Sequence, residues 1–348
     1  MGAPDGSEGR EVTVRFAIVG YGMIADAHAT AIQASGDAEL VSVADPDQQA
    51  RRTAADRWGC STYASLDQML GAVRVNAACV CAPPALHRPL VERLLEAGVH
   101  VLCEKPQALT VQDARAMAAL AERKRLVLAG SSKFRFVPDL VEARRHIEDG
   151  TIGQPIFCEV TLCAPSPSAP RWSLQPELSG GGVVMDNGPH VYDIIAEVLG
   201  QAPVVMAAVF APRTLSPEVE DTAEILFRTD RGPVGRVALS WTYFTKDHDF
   251  FIIQGTKGTL RVGWTGSCMR LHGTTDWIPF GSGYRKAEAY RGQLAAILST
   301  LTNPGRAETS LEAIRALEFV ERIYEVERLG FTGISVESWS SLKGAVPR

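Results

Sequence analysis

Three side chains stand out for the chemistry that their types and spacing permit. Lys105 lies in Cys103-Glu104-Lys105-Pro106, and Asp186 and His190 stand four residues apart after Gly180-Gly181-Gly182. Lys105 closes the apolar run Val99-His100-Val101-Leu102, which reads as a buried strand. Such a strand delivers its last side chains to its carboxyl end, where ligands bind in open α/β sheets. An ammonium held there without a partner is costly, so Lys105 is either paired structurally or used on a ligand. On a helix, Asp186 and His190 would project from one face. A carboxylate beside an imidazole fixes its orientation and raises its basicity, which suits a general base near neutral pH. The competing reading makes Asp186 a helix cap and His190 a packed core histidine. A metal site built on Asp186, His190 and Asp193 would lack any cysteine or second histidine at helical spacing, so no metal is expected.

Elements must position these groups. Residues 12–19 read as a strand that runs through Gly20-Tyr21-Gly22-Met23-Ile24-Ala25 into a helical pattern containing His28 and Ile32. In this G-x-G-x-x-A, Gly20 serves the tight turn, Gly22 the close approach of a pyrophosphate, and Ala25 close helix packing. The amides of Met23 and Ile24 then face the phosphates at the positive end of the helix. The next strand, 40–44, ends in Asp45-Pro46-Asp47. An acid about 20 residues after the glycines can accept hydrogen bonds from both ribose hydroxyls and would repel a 2′-phosphate. NAD is therefore expected in preference to NADP, although Asp45 could also be a turn former before Pro46. The strand at 75–82 is stopped by Pro83-Pro84. This places Ala82, Pro83 and His87 in a loop over the nicotinamide half of the cofactor, with His87 given no catalytic role.

After residue 130 the βα rhythm gives way to strands at 156–163, 204–210, 222–227, 234–240, 250–253, 259–262 and 269–271. The punctuation Thr229-Asp230-Arg231-Gly232 and Thr256-Lys257-Gly258 implies hairpins, hence an antiparallel or mixed sheet. Helical patterns occupy 139–149, 285–301 and 310–328. Because Pro189 is tolerated only in a first turn, the helix carrying His190 should begin near Asp186. Residues 250–253 are apolar on both faces, which predicts a homodimer or homotetramer formed through this sheet.

A chain of 348 residues exceeds what one core usually serves. The expected division is a floppy tail at 1–10, a nucleotide-binding domain at 11–132 and a substrate-binding and oligomerisation domain at 133–348. Hydrophobic residues make up 46% and the net charge is −5 without a block of like charges, which argues against a nucleic-acid surface. No apolar run reaches the roughly 18 residues of a membrane span. Residues 1–11 lack the features of a secretion signal, so a cytoplasmic location is expected. Seven cysteines without a C-x-x-C pair read as small reduced core residues.

Gly20 to Ala25, Asp45, Ala82-Pro83-Pro84-Ala85-Leu86-His87, Glu104-Lys105-Pro106, and the triple glycine leading to Asp186-x-Gly188-x-His190 together resemble, in order and spacing, the glucose-fructose oxidoreductase / inositol dehydrogenase / MocA (Gfo/Idh/MocA) family. The resemblance implies an α/β protein: a Rossmann domain with a doubly wound parallel sheet, then an α+β domain with a large open mixed sheet. It further implies reversible, NAD-dependent hydride transfer at a secondary hydroxyl of a sugar, cyclitol or glycoside, with an aminoglycoside or other secondary-metabolite sugar among the expected substrates. Carried over residue by residue, it makes Lys105, Asp186 and His190 catalytic. His190, oriented by Asp186, takes the hydroxyl proton; Lys105 stabilises the oxygen; Glu104 orients Lys105. Arg135, Arg171 and Trp172 fall where the substrate cleft would be lined. Lys133-Phe134-Arg135 and Pro189 depart from the family's usual pattern, and these departures bear on the substrate. The competing class is a nucleotide-sensing or scaffold protein of the same fold without turnover, which would leave Lys105, Asp186 and His190 without a task.

Overall fold

The computed structural model describes residues 13–165, 171–245, 248–302 and 310–330, and the expected tail at 1–10 and the side chain of Arg171 lie outside the described residues. The first half alternates strand and helix: β1 (Val14–Val19), α1 (Ala25–Gln33), β2 (Ala38–Ala44), α2 (Gln48–Trp58), β3 (Ser61–Tyr63), α3 (Leu66–Ala72), β4 (Ala77–Val80), α4 (His87–Glu96), β5 (His100–Cys103), α5 (Val111–Lys124) and β6 (Leu128–Gly130). All six strands pair in parallel, in the order β3-β2-β1-β4-β5-β6. Parallel sheets are covered on both faces and need continuous apolar strands. Phe16, Ala17 and Ile18 on β1 are fully buried. Strand order reverses between β1 and β4, and a crevice opens beyond the strand ends at such a reversal. Backbone hydrogen bonds tie the loops there together: Gly20 N to Ala44 O (2.8 Å), Cys81 N to Val19 O (2.7 Å), Glu104 N to Val80 O (2.9 Å) and Ser131 N to Cys103 O (2.7 Å).

The second half continues with α6 (Pro138–Glu148), β7 (Pro155–Cys163), α7 (Pro176–Ser179), α8 (Val183–Leu199), β8 (Val204–Phe210), β9 (Thr222–Arg228), β10 (Val234–Ser240), β11 (Asp249–Gly255), β12 (Gly258–Gly263), β13 (Ser267–Leu271) and β14 (Ile278–Gly281), and closes with α9 (Lys286–Thr302) and α10 (Leu311–Leu329). Eight strands form one sheet in the order β14-β13-β12-β11-β7-β10-β9-β8. Only the β7–β10 pair is parallel, and both expected hairpins are present. The fold is thus a Rossmann unit joined to a mixed-sheet α/β unit. Helix α9 runs back to the first sheet and packs on α1, placing Tyr290, Leu294, Ile297 and Leu298 in one apolar cluster with Phe16, Ile18 and Leu102. Helix α10 spans α8, β8 and α5.

Two expectations are corrected. Helix α8 starts at Val183, three residues before Asp186, and Pro189 lies inside it. The start is set from a distance: the Glu220 carboxylate accepts the amides of Gly182 and Val184 (3.0 Å each) and caps a helix that has no local cap. With no N–H on Pro189, the Met185 carbonyl simply lacks its usual partner. The second correction concerns β11, where Phe250 and Phe251 are both buried within the chain. Exposed apolar residues of this sheet include Met206, Val209, Leu226 and Val234 on β8, β9 and β10, and also Ile156 on β7 and Ile278 on β14, with the Arg236–Glu224 pair (2.9 Å) beside Leu226. Among the described residues no helix is long and apolar enough to cross a membrane.

Candidate functional site

The site is assembled where β5 of the first sheet meets α8 of the second. Beyond β5 the chain enters Glu104-Lys105-Pro106, with a cis Lys105–Pro106 peptide. The Lys105 ammonium donates to the Asp186 carbonyl oxygen (2.9 Å) and to its carboxylate. Asp186 therefore holds Lys105, whereas the sequence reading had it orient His190. One turn further along α8, His190 is buried and its Nδ1 has no hydrogen-bond partner. Phe134 fixes the ring from the side by an edge contact, with centroids 4.9 Å apart. Burial, and then the charges of Lys105 and Lys133, hold the His190 pKa well below 6.5. The imidazole is neutral at pH 7, made so by its surroundings and not made more basic by a carboxylate.

Glu104 also differs from expectation. Its carboxylate accepts from His28 Nε2 on α1 (2.7 Å) and from Ser131 Oγ after β6 (2.7 Å), and it receives the backbone amide of Lys105 (3.2 Å). Burial opposes its charge, but His28, Ser131 and Lys105 lower its pKa to about 2. Burial likewise opposes the charge on His28, yet Cys79 and Glu104 beside the ring raise its pKa to about 10. This ion pair clamps the start of the Lys105 loop to α1, and the hydrogen bond from Lys105 to Glu104 comes from its backbone amide, not its ammonium. His87 is fully buried, with Nε2 at 2.8 Å from the Ala82 carbonyl and Nδ1 at 2.9 Å from that of Pro106. Burial lowers its pKa, so the neutral ring donates to one of the two. It holds the Ala82-Pro83 turn against the Lys105 loop and offers no free nitrogen to a cofactor.

The glycine turn fits a dinucleotide. A Cβ on Gly20, at φ +87°, would lie 2.7 Å from the Ala82 amide nitrogen, whereas one on Gly22 would meet nothing within 4 Å. That open space is the approach a pyrophosphate needs. Met23 is exposed, and Ile24 heads α1 without a side-chain cap, leaving the helix start available to an anion. Asp45, at the tip of β2, accepts the amides of Tyr21 (2.6 Å) and Asp47 (2.7 Å), one on each oxygen. Each oxygen keeps lone-pair capacity for a ribose hydroxyl.

Family models match both halves: the oxidoreductase family NAD-binding Rossmann fold at residues 14–131 and the GFO/IDH/MocA C-terminal domain at 140–261. Inositol 2-dehydrogenase of Rhizobium meliloti is 33% identical over 255 residues, covering 72% of this chain and 75% of the relative. The chain belongs to the Gfo/Idh/MocA family. It is an oxidoreductase acting on CH–OH groups, like the dehydrogenases among its relatives. D-glucoside 3-dehydrogenase of Escherichia coli is 35% identical over 191 residues, 54% of each chain. The crystal structure of GenD2 from gentamicin A biosynthesis, in complex with NAD, superposes with a TM-score of 0.80 at 24% identity, over 95% of this chain and 98% of that one. That last likeness shows the shared Gfo/Idh/MocA fold.

Of the residues expected to line the Gfo/Idh/MocA cleft, Arg135 is committed to Glu197 (3.2 Å), which also pairs with Arg144 (3.0 Å). Trp172 is half-buried in a short turn ahead of α7, and α7 packs on the Pro84–Leu86 turn that follows Pro83. Three residues with a part in the site escaped the sequence reading. Glu220 and Tyr324, whose hydroxyl donates to Glu220 (2.7 Å), set the start of α8. They also explain two of the three glycines, since a Cβ on Gly181 would strike the Tyr324 hydroxyl and one on Gly182 the Glu220 carbonyl. No local pattern marks so distant a cap. Lys133 is the third; its basic-aromatic connector was visible, but the direction of its side chain was not.

Removing one partner of a buried pair leaves the other charge uncompensated, at a cost of about 3–5 kcal/mol, so His28→Gln should lower thermal stability sharply. His28 is protonated more tightly in the fold than at its ordinary value of 6.5, so its contribution is complete below that pH and fades as pH rises toward about 10. The loss of Tm relative to wild type, followed by calorimetry across pH, should therefore be largest near pH 6 and shrink toward pH 10. A constant difference would contradict the paired assignment.

Proposed function

We propose that this chain is an NAD-dependent dehydrogenase that reversibly oxidises a secondary hydroxyl of a sugar, cyclitol or glycoside to a ketone. The observation that carries this reading is the meeting of the Lys105 ammonium, from the nucleotide-binding half, with Asp186 and His190 on α8. The names of its relatives, an inositol and a glucoside dehydrogenase, support the substrate class. NAD, when bound, would supply the acceptor for the hydride of the carbinol carbon. The neutral His190 accepts the hydroxyl proton, and Lys105, held by Asp186, donates a hydrogen bond to the oxygen as its charge develops. In reduction His190 returns the proton. Gly22, Met23, Ile24 and Asp45 would hold the dinucleotide, with Ala82 and Pro83 in the loop expected at its nicotinamide end. Glu104 and His87 are positioning residues.

Lys105→Ala and His190→Ala should each lower kcat by about 100-fold or more while NADH still binds, measured by nicotinamide absorbance and by fluorescence titration. A base must be deprotonated to act, and the His190 pKa lies below 6.5; the acid limb of kcat/KM should accordingly fall below pH 6.5 in wild type and vanish in His190→Ala. Full turnover in either variant would remove its role.

Asp45 supports NAD over NADP, because a 2′-phosphate would meet a carboxylate already fixed by two amides. Asp45→Ala should raise the NADP-to-NAD ratio of kcat/KM by about tenfold, worth ~1.4 kcal/mol. A wild type that prefers NADP would show the reading of Asp45 to be wrong.

The exposed apolar residues Met206, Val209, Leu226 and Val234 on neighbouring strands β8, β9 and β10 support a homo-oligomer formed there, since exposed apolar surface of this kind marks an interface. Light scattering should give the mass of two or four chains for wild type and of one for Leu226→Arg. A monomeric wild type at micromolar concentration would end that proposal.

A further inference from the structure

Lys133 is a charged group whose field reaches His190 and for which the mechanism has no use. Its ammonium stands over the Phe134 ring (5.4 Å) and near the Tyr284 ring (5.9 Å); those two rings are stacked, with centroids 5.5 Å apart. Phe134 is the ring that touches His190, so Lys133 lies on the His190 side of the crevice. Among the described residues no carboxylate pairs with it: Asp186 is taken by Lys105, and Glu104 by His28. Burial, together with the charges of Lys105 and Lys286, pushes its pKa down to about 8 although Glu104 and Asp186 act the other way, since those two carboxylates are already spent on His28 and Lys105. A second donor is orphaned nearby. The Tyr284 hydroxyl is buried without a partner, and burial raises its pKa to about 12, keeping it a donor. Unsatisfied buried donors are uncommon and call for a ligand or an ordered water.

We propose that Lys133 and Tyr284 form an anion-recognition subsite, and that the substrate carries a carboxylate, as in a uronic acid, beside the hydroxyl that is oxidised. The inference rests on the dehydrogenase reading and narrows its substrate class. A carboxylate would meet one ammonium and one hydroxyl donor, which suffices for a single negative charge. A phosphate is served best by bidentate guanidinium groups, and Arg135, the arginine closest in sequence, is spent on Glu197. A cationic amino sugar would be repelled by Lys133 and Lys105 together. Among the substrates expected from the sequence, this turns the choice away from an aminoglycoside.

D-glucose, D-glucuronate and D-glucosamine differ mainly in charge, and their binding to the enzyme–NADH complex can be followed by NADH fluorescence without any turnover. D-glucuronate should bind about 10- to 100-fold more tightly than D-glucose, the worth of one hydrogen bond to a charged group, and D-glucosamine most weakly. Lys133→Gln should abolish the preference, and Tyr284→Phe should reduce it while the Tm of the complex stays near wild type. Equal binding of acid and neutral sugar, no binding of the acid at millimolar concentration, tighter binding of D-glucosamine, or a preference that survives Lys133→Gln would each overturn the proposal. Because the readout is binding, a failure of the redox assignment would show separately, as absent nicotinamide reduction with the acid preference intact.

Discussion

The contact between Lys105 and Asp186 is the constraint on which the rest of the site depends. Their side chains are 19% and 40% exposed, so water screens the attraction and the pair adds little to folding stability. Its weight is geometric. It fixes the ammonium delivered from the end of β5 against the first turns of the helix that carries His190, and so sets where the two halves of the site meet. Everything that sets the end of β5 or the start of α8 acts through this contact.

Each side of that contact is held by a buried carboxylate doing a different task. Glu104 is charged because His28 and Ser131 reach it, and it locks the Lys105 loop to the helix that begins at the glycine turn. Glu220, whose pKa burial pushes upward, accepts through one oxygen, Oε1, from the amides that open α8 and from Tyr324. A third acid, Asp193, sits one turn beyond His190, and burial raises its pKa to about 7 despite Arg135 and Ser132 nearby. A low dielectric makes such groups costly unless satisfied, and here satisfaction supplies rigidity where the reacting atoms must be placed.

The two halves are also stitched by their last helices. Through Gln293, helix α9 accepts the Ser132 amide (2.8 Å) and the Ser131 hydroxyl (3.2 Å). The same helix fills the apolar face of the first sheet. Helix α10 packs on α8 and also reaches α5 of the nucleotide-binding half. Neither half is therefore an independent body: the aromatic cluster of Phe134, Phe250, Trp264 and Tyr284 joins the connector after β6 to the second sheet, directly under His190.

The sequence by itself determined the architecture and the family, because those rest on local signals: apolar strands buried on both faces, the glycine turn between β1 and α1, Asp45 at the tip of β2, and the order of the motifs around Lys105 and His190. It misplaced the start of α8 and the tasks of Asp186, Glu104 and His87, because each of these depends on partners far along the chain. Asp186 was free to turn toward His190 or across to Lys105, and only packing of the two halves chose the second. Glu104 adjoins Lys105 in sequence, yet the nearest compensating charge for its buried carboxylate was His28, 76 residues away. Whether Lys133 or Arg135 faces the crevice likewise turned on which of them found a carboxylate in the folded chain, and Glu197 settled that for Arg135.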